Sequence, residues 1–274
     1  MKGDNVISRF DTDTALTRVG TNIFEGHIDR RWWAGRGPNG GYIAAIILRG
    51  LSMAVADPER TPRSLTVQYI APPAEGPVRV LVNVERVGRS TTMLSARMVQ
   101  RDLLLANALA AFARSRPGIE YLEVPMPDIL PPEAIEPLEP PQWEFLSFIS
   151  RYERRQVARD PFFSGSGRAH TAGWLRLAEP RILDYLLAAA FTDAWMPSVM
   201  PLLQEPLPVP TIDLTIHFRA RLPLPGAKPE DFYFVDFRSR CGAEGFFEED
   251  GEIWSRDGTL LVQSRQLALL SLAG

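Results

Sequence analysis

The chain has 274 residues, of which 45% are hydrophobic and 23% charged, so a sizeable core can form and wholesale disorder is excluded. A formal net charge of −3 offers no broad basic field, which argues against a nucleic-acid partner. One cysteine, Cys241, and three scattered histidines exclude a disulfide framework and a metal site of ordinary spacing; no metal or redox cofactor is expected.

The first residues contain no apolar leader. The run from Tyr42 to Leu48 is too short to cross a bilayer, so a cytoplasmic protein without membrane contact is expected. Only Lys2 and Lys228 are lysines, so any anion-binding group would be an arginine fork.

In chain order, Ile23 to Trp33 reads as a strand-like lead. A Gly-rich turn follows, from Gly35 to Gly41, and then an apolar helix from Tyr42 to Met53. Four strands come next, at Ser64–Ala71, Val78–Val87, Thr91–Gln100 and Leu103–Arg114. In the second of these Val78, Val80, Val82 and Val84 alternate, the period of a half-buried strand. Eight prolines between Pro117 and Pro141 remove amide donors and block helix growth, so this stretch reads as an extended surface linker. Beyond it, strands are expected at Phe148–Arg159 and His170–Leu177. A helix follows Pro180 through Leu183, Leu186, Leu187, Ala190 and Phe191. Four more strands are read at Thr211–Ala220, Phe232–Arg240, Gly245–Ser255 and Thr259–Leu270.

The order of elements therefore repeats. Residues also align: Leu65 to Ala71 matches Leu214 to Ala220, and Arg101-Asp102 matches Arg256-Asp257. The expected domains are 1–116 and 143–274, joined by the linker 117–142.

Strand, Gly-rich turn, helix and four antiparallel strands, present twice, resemble the double-hotdog acyl-CoA thioesterases of the thioesterase II type. The resemblance implies an α+β fold of two tandem hotdog units. Each is an antiparallel sheet wrapped around a central helix, and the two sheets join side by side. It covers nearly the whole chain apart from the linker and the first few residues.

Polar residues present in one copy only mark where chemistry can reside. Gln266 stands where the first half has Ala110, Thr211 where it has Pro62, and Asp193 ends a helix whose counterpart carries no acid. The Gly40-Gly41 pair belongs to the first half alone. In the resembled family an Asp, a Thr and a Gln hold the attacking water. The resemblance implies those roles for Asp193, for Thr211 in Thr211-Ile212-Asp213, and for Gln266, eight residues after Gly258. Asp193 would be the general base, and the backbone amides of Gly40 and Gly41 would bind substrate by donating to the developing oxyanion. The loop between the Asp and the Thr is short for the family, which leaves the shape of the acyl pocket open.

Plainer readings stand beside these. Asp193 could be a surface residue paired with Arg, Thr211 a strand start, Gln266 a polar residue on an exposed face, and Gly40-Gly41 a simple turn. Asp213 and Thr215 share a strand face with Thr211. His27 and His217 read as a strand end and a packed or interfacial residue, Arg89 as a solvated turn residue, and Trp32 and Trp33 as core.

Three functions compete. The first is hydrolysis of an acyl-CoA thioester to free acid and CoA. The second is non-catalytic binding of acyl-CoA or lipid. The third, a hotdog dehydratase or hydratase, needs a His and an acid near a helix start, where neither His27 nor His217 stands. Exposed sheet edges and the habit of the family point to a homo-oligomer.

Overall fold

The computed structural model describes residues 8–139, 144–158 and 160–270. Pro140, Pro141 and Arg159, which fall in the expected linker and strand, lie outside the described residues.

The first half opens with a short helix, α1 (Arg9–Asp13), capped by Ser8, whose hydroxyl accepts from the Asp11 amide. Strands β1 (Thr17–Gly20) and β2 (Ile23–Ile28) lead to a 3-10 turn at Arg30–Trp32. Helix α2 (Gly40–Val55) follows, then β3 (Thr61–Tyr69), β4 (Gly76–Val87), β5 (Thr91–Gln100) and β6 (Leu103–Ala113). The second half contains β7 (Tyr152–Gln156), β8 (His170–Leu177), α3 (Tyr185–Phe191), β9 (Thr211–Phe218), β10 (Tyr233–Arg238), the two-residue β11 (Gly242–Ala243), β12 (Phe246–Trp254) and β13 (Leu260–Leu269).

The strands form one antiparallel sheet in the order β1-β2-β4-β5-β6-β3-β9-β13-β12-β10-β8-β7, with β11 paired to β12. Its two halves meet where β3 pairs with β9. There Thr66 faces Thr215, Leu65 faces Ile216 and Val67 faces Leu214. Thr66 and Thr215 are the same position in the two copies, and their hydroxyls hydrogen-bond at 3.0 Å across a local two-fold axis. Ladder bonds thereby cap the edge that each half-sheet would otherwise expose.

Helix α2 is apolar on nearly every face, and the sheet wraps it, burying Tyr42 to Leu48 and Leu51. Asn39 caps its start, accepting from the Tyr42 amide at 3.1 Å. Tyr42 stacks on Trp32 with centroids 4.9 Å apart, and its hydroxyl donates to the Asp13 carbonyl at 2.7 Å. Small inward residues on β6, Ala106, Ala108 and Ala110, leave room for the bulky helix.

Gly41 sets how closely α2 approaches α3. A Cβ there would lie 2.3 Å from the Ala190 carbonyl oxygen, so only glycine fits this crossing.

Three expectations need correction. Residues 148–151 do not begin a strand but belong to 3-10 helix over Glu144–Arg151. Tertiary contacts override the pattern here: the Phe148 amide donates to the Trp33 carbonyl, and Ser147 Oγ accepts from the Trp33 amide. The second helix starts at Tyr185 rather than after Pro180. Asp184 is its cap, accepting from the Leu187 amide, and Arg181 is tied to both Asp184 and Asp11. The Pro-rich segment is also more than a spacer. Met126, Ile129 and Ile135 pack on Trp174, Phe234 and Trp254 over the outer face of the second half-sheet, and Trp174 Nε1 donates to the Leu130 carbonyl.

Gly41→Ala should force α2 and α3 apart and cost about 1–3 kcal/mol, as overpacking does. Denaturant melts of the two proteins measure this.

Candidate active site

Asp193 lies two residues beyond the end of α3, in the turn that follows it rather than on the helix as expected. The turn brings the acid to the start of α2. One carboxylate oxygen, Oδ2, accepts from Asn39 Nδ2 at 2.8 Å and from the Gly41 amide at 3.0 Å. Asn39 Nδ2 also donates to the Asp193 backbone carbonyl at 2.6 Å. Asn39 thus works in both directions, capping α2 through Oδ1 and holding the acid through Nδ2. None of these bonds reaches the other oxygen, Oδ1, and the Gly40 amide also favours the charged carboxylate.

The Gly41 amide was expected to face a substrate oxyanion. Here it donates to the acid, so the positive end of α2 is directed at Asp193. The carbonyl of Gly40 accepts from the Tyr69 hydroxyl at 2.8 Å, and a Cβ on Gly40 would lie 3.0 Å from Asp193 Oδ2. Both glycines therefore fit around the carboxylate.

Burial raises the Asp193 carboxyl to a pKa of about 7. The Gly41 amide opposes that rise, and the charge of Glu249 adds to it.

Thr211 and Gln266 are joined to each other. Thr211 Oγ1 donates to Gln266 Oε1 at 2.9 Å, and Gln266 Nε2 donates to Glu249 Oε1 at 2.5 Å. The other Glu249 oxygen accepts from the Ser198 amide. Two donors converging on two oxygens favour the carboxylate form, whereas burial pushes the Glu249 pKa up. Among the described residues no hydrogen bond runs from Asp193 to Thr211 or Gln266. The two groups are coupled through the field of Glu249.

Sheet register tests the comparison of copies. Gln266 sits opposite Leu214, as Ala110 sits opposite Leu65. Glu249 sits opposite Gln266, as Leu94 sits opposite Ala110. The first half thus carries Pro62, Ala110 and Leu94 where the second carries Thr211, Gln266 and Glu249. At the other end of the helix pair, where α3 begins, Asp11 bonds Arg181 at 2.8 Å and Arg49 at 3.5 Å, and Arg181 also bonds Asp184. That end is closed by ion pairs.

Asn39 and Glu249 are the site residues that sequence reasoning missed. An Asn before Gly-Gly at a helix start signals a cap, but nothing in the sequence shows where its amide nitrogen points. Glu249 would emerge from comparing the copies, except that strand spacing differs between the halves and hides the match with Leu94. The remaining candidates stand apart. Thr215 bonds Thr66 at the sheet junction, Asp213 faces Gln68 there, and His27 and His217 are exposed. Among the described residues no cluster of His, Cys, Asp or Glu could hold a metal ion.

Comparisons with known proteins agree with this architecture. Residues 29–113 match the acyl-CoA thioesterase N-terminal domain, and residues 132–270 match the acyl-CoA thioesterase C-terminal domain. No curated protein matches the chain. A solved hot dog-fold protein of unknown function from Alicyclobacillus acidocaldarius is 30% identical, with a TM-score of 0.89 over 98% of this chain and 100% of that one. An acyl-CoA thioesterase II from Mycobacterium marinum is 21% identical, with a TM-score of 0.78 over 96% of this chain and 98% of that one. No helix is long and apolar enough to cross a membrane among the described residues. Two copies of one fold in a single sheet, matched in turn by the N- and C-terminal domains, mean that this chain belongs to the acyl-CoA thioesterase family, as a fused hotdog pair.

Proposed function

We propose that the chain hydrolyses an acyl-CoA thioester to the free acid and CoA, with Asp193, Thr211 and Gln266 activating the water. The observation that carries this reading is the one-sided hold on Asp193. Asn39 and the Gly41 amide both bind Oδ2, which leaves Oδ1 to take a proton. A carboxylate with a pKa of about 7 is matched to that task near neutral pH.

In the proposed step, water oxygen attacks the thioester carbonyl carbon while its proton passes to Asp193 Oδ1. The tetrahedral oxyanion then collapses, the C–S bond breaks, and the proton goes from Asp193 to the departing sulfur. Thr211 and Gln266 position the water. Gln266 Nε2 has one hydrogen on Glu249 and a second available for the developing oxyanion. Gly40 and Gly41 serve by orienting the base.

Free-thiol release from a panel of acyl-CoAs tests the reading. Asp193→Asn should lower kcat by about 10²–10⁴, and Gln266→Ala by about 10²–10³, with far-UV spectra unchanged. Full activity in both variants would remove the site. Binding without turnover on every substrate would make the chain a non-catalytic acyl-CoA binder.

The base must be ionised to accept a proton, so kcat/KM should fall roughly tenfold per pH unit below about 7. Glu249→Leu removes the like charge that raises Asp193. The acid limb of the pH–rate profile should therefore move to lower pH, while kcat drops because Gln266 loses its anchor.

A further inference from the structure

The inner face of β7 carries a cation that has no counter-charge among the described residues. Arg154 is only 2% exposed, and its side chain makes no hydrogen bond or ion pair among the described residues. Its Nε is sealed from solvent and unpaired. Burial lowers its pKa to about 10, and no acid among the described residues offsets that. A buried guanidinium without a counter-charge is costly to fold around, and buried charges are ordinarily paired. The other interior arginines obey that rule: Arg181 bonds Asp11 and Asp184, and Arg176 bonds Glu153.

Two more unpaired donors surround the same face. Tyr152 precedes Arg154 by two residues, so both side chains leave β7 on one side, about 7 Å apart along the strand. The Tyr152 hydroxyl is buried and has no partner among the described residues. Its ring meets Phe191 edge-on at 5.9 Å, and burial, with the charge of Asp193 adding to it, raises its pKa. Trp195 Nε1 is likewise buried and unpaired, and a Cβ on Gly173 of β8 would lie 2.4 Å from the Trp195 ring. Gly173 pairs with Gln156, two residues beyond Arg154. Phe191 and Trp195 flank Asp193 in sequence. A guanidinium, a phenol and an indole thus stand on one inner face without partners among the described residues, the phenol within the field of Asp193, and all three are donors.

We infer that the acyl group taken by this site ends in a carboxylate, which Arg154 receives with Tyr152 and Trp195 as supporting donors. This rests on the thioesterase reading and narrows its substrate class to ω-carboxyacyl-CoA. The phosphates of CoA are poor candidates for the same donors. They are bulky and multiply charged, whereas a carboxylate is small and planar and matches an arginine fork.

The test compares adipyl-CoA with hexanoyl-CoA, which differ at the distal end of the acyl chain. In the wild-type protein the kcat/KM ratio should favour adipyl-CoA, and in Arg154→Met it should fall by at least about 30-fold, the scale of losing one partner of a buried charge pair. Arg154→Lys keeps the charge but not the fork. It should give an intermediate ratio, and it replaces the Met variant if that one does not fold. A ratio that is the same in wild type and variant overturns the inference. If the wild type cleaves neither thioester, the function proposed above fails, and the non-hydrolysable thioethers of the two acyl-CoAs then judge Arg154 separately. Weaker binding of the adipyl thioether relative to the hexanoyl one in the variant supports the inference; equal relative binding defeats it.

Discussion

One hydrogen-bonded oxygen ties the two halves of this molecule together at its site. Asp193 comes from the second copy, while the groups that hold it, Asn39 and the Gly41 amide, come from the first. The arrangement depends on Gly41, because only a residue without a Cβ lets α2 come close enough to the α3 backbone to present its N-terminal amides to the acid. The same contact solves an electrostatic problem. A carboxylate at the end of an apolar helix loses its hydration, and the positive end of a neighbouring helix replaces part of it.

The site is built on an asymmetry between copies. The sheet repeats almost position for position, yet the first half holds Pro62, Ala110 and Leu94 where the second holds Thr211, Gln266 and Glu249. Apolar residues at the first set pack without unsatisfied groups. At the second set Gln266 and Glu249 are buried and Thr211 is half-buried, and each finds a partner in the line from Thr211 through Gln266 and Glu249 to the Ser198 amide.

Much of the fold was legible in the sequence. Strands β5 and β8 match their expected ranges, since alternation along a half-buried strand is a strong signal. Boundaries set by side-chain partners were not legible. The delayed start of α3 depends on Arg181 and Asp184, and the 3-10 segment before β7 depends on contacts with Trp33. At the candidate site, comparing the copies singled out Asp193, Thr211 and Gln266, because a polar residue in one copy opposite an apolar one in the other stands out, and the family resemblance implied their roles. The direction of the Gly41 amide was not legible, since it depends on where the turn after α3 returns to α2. Arg154 was not legible for a similar reason: in the polar run from Glu153 to Gln156 an arginine reads as solvated, and only its burial on the inner face of β7 sets it apart.

The junction between β3 and β9 carries a consequence for ancestry. The facing pairs are arranged symmetrically about Thr66 and Thr215, the same position in each copy. A lone ancestral unit could have met a second copy of itself in this register, forming an isologous homodimer with two identical sites. A fused pair of that kind needs only one of the two sites, which fits apolar residues at one set of positions and polar residues at the other.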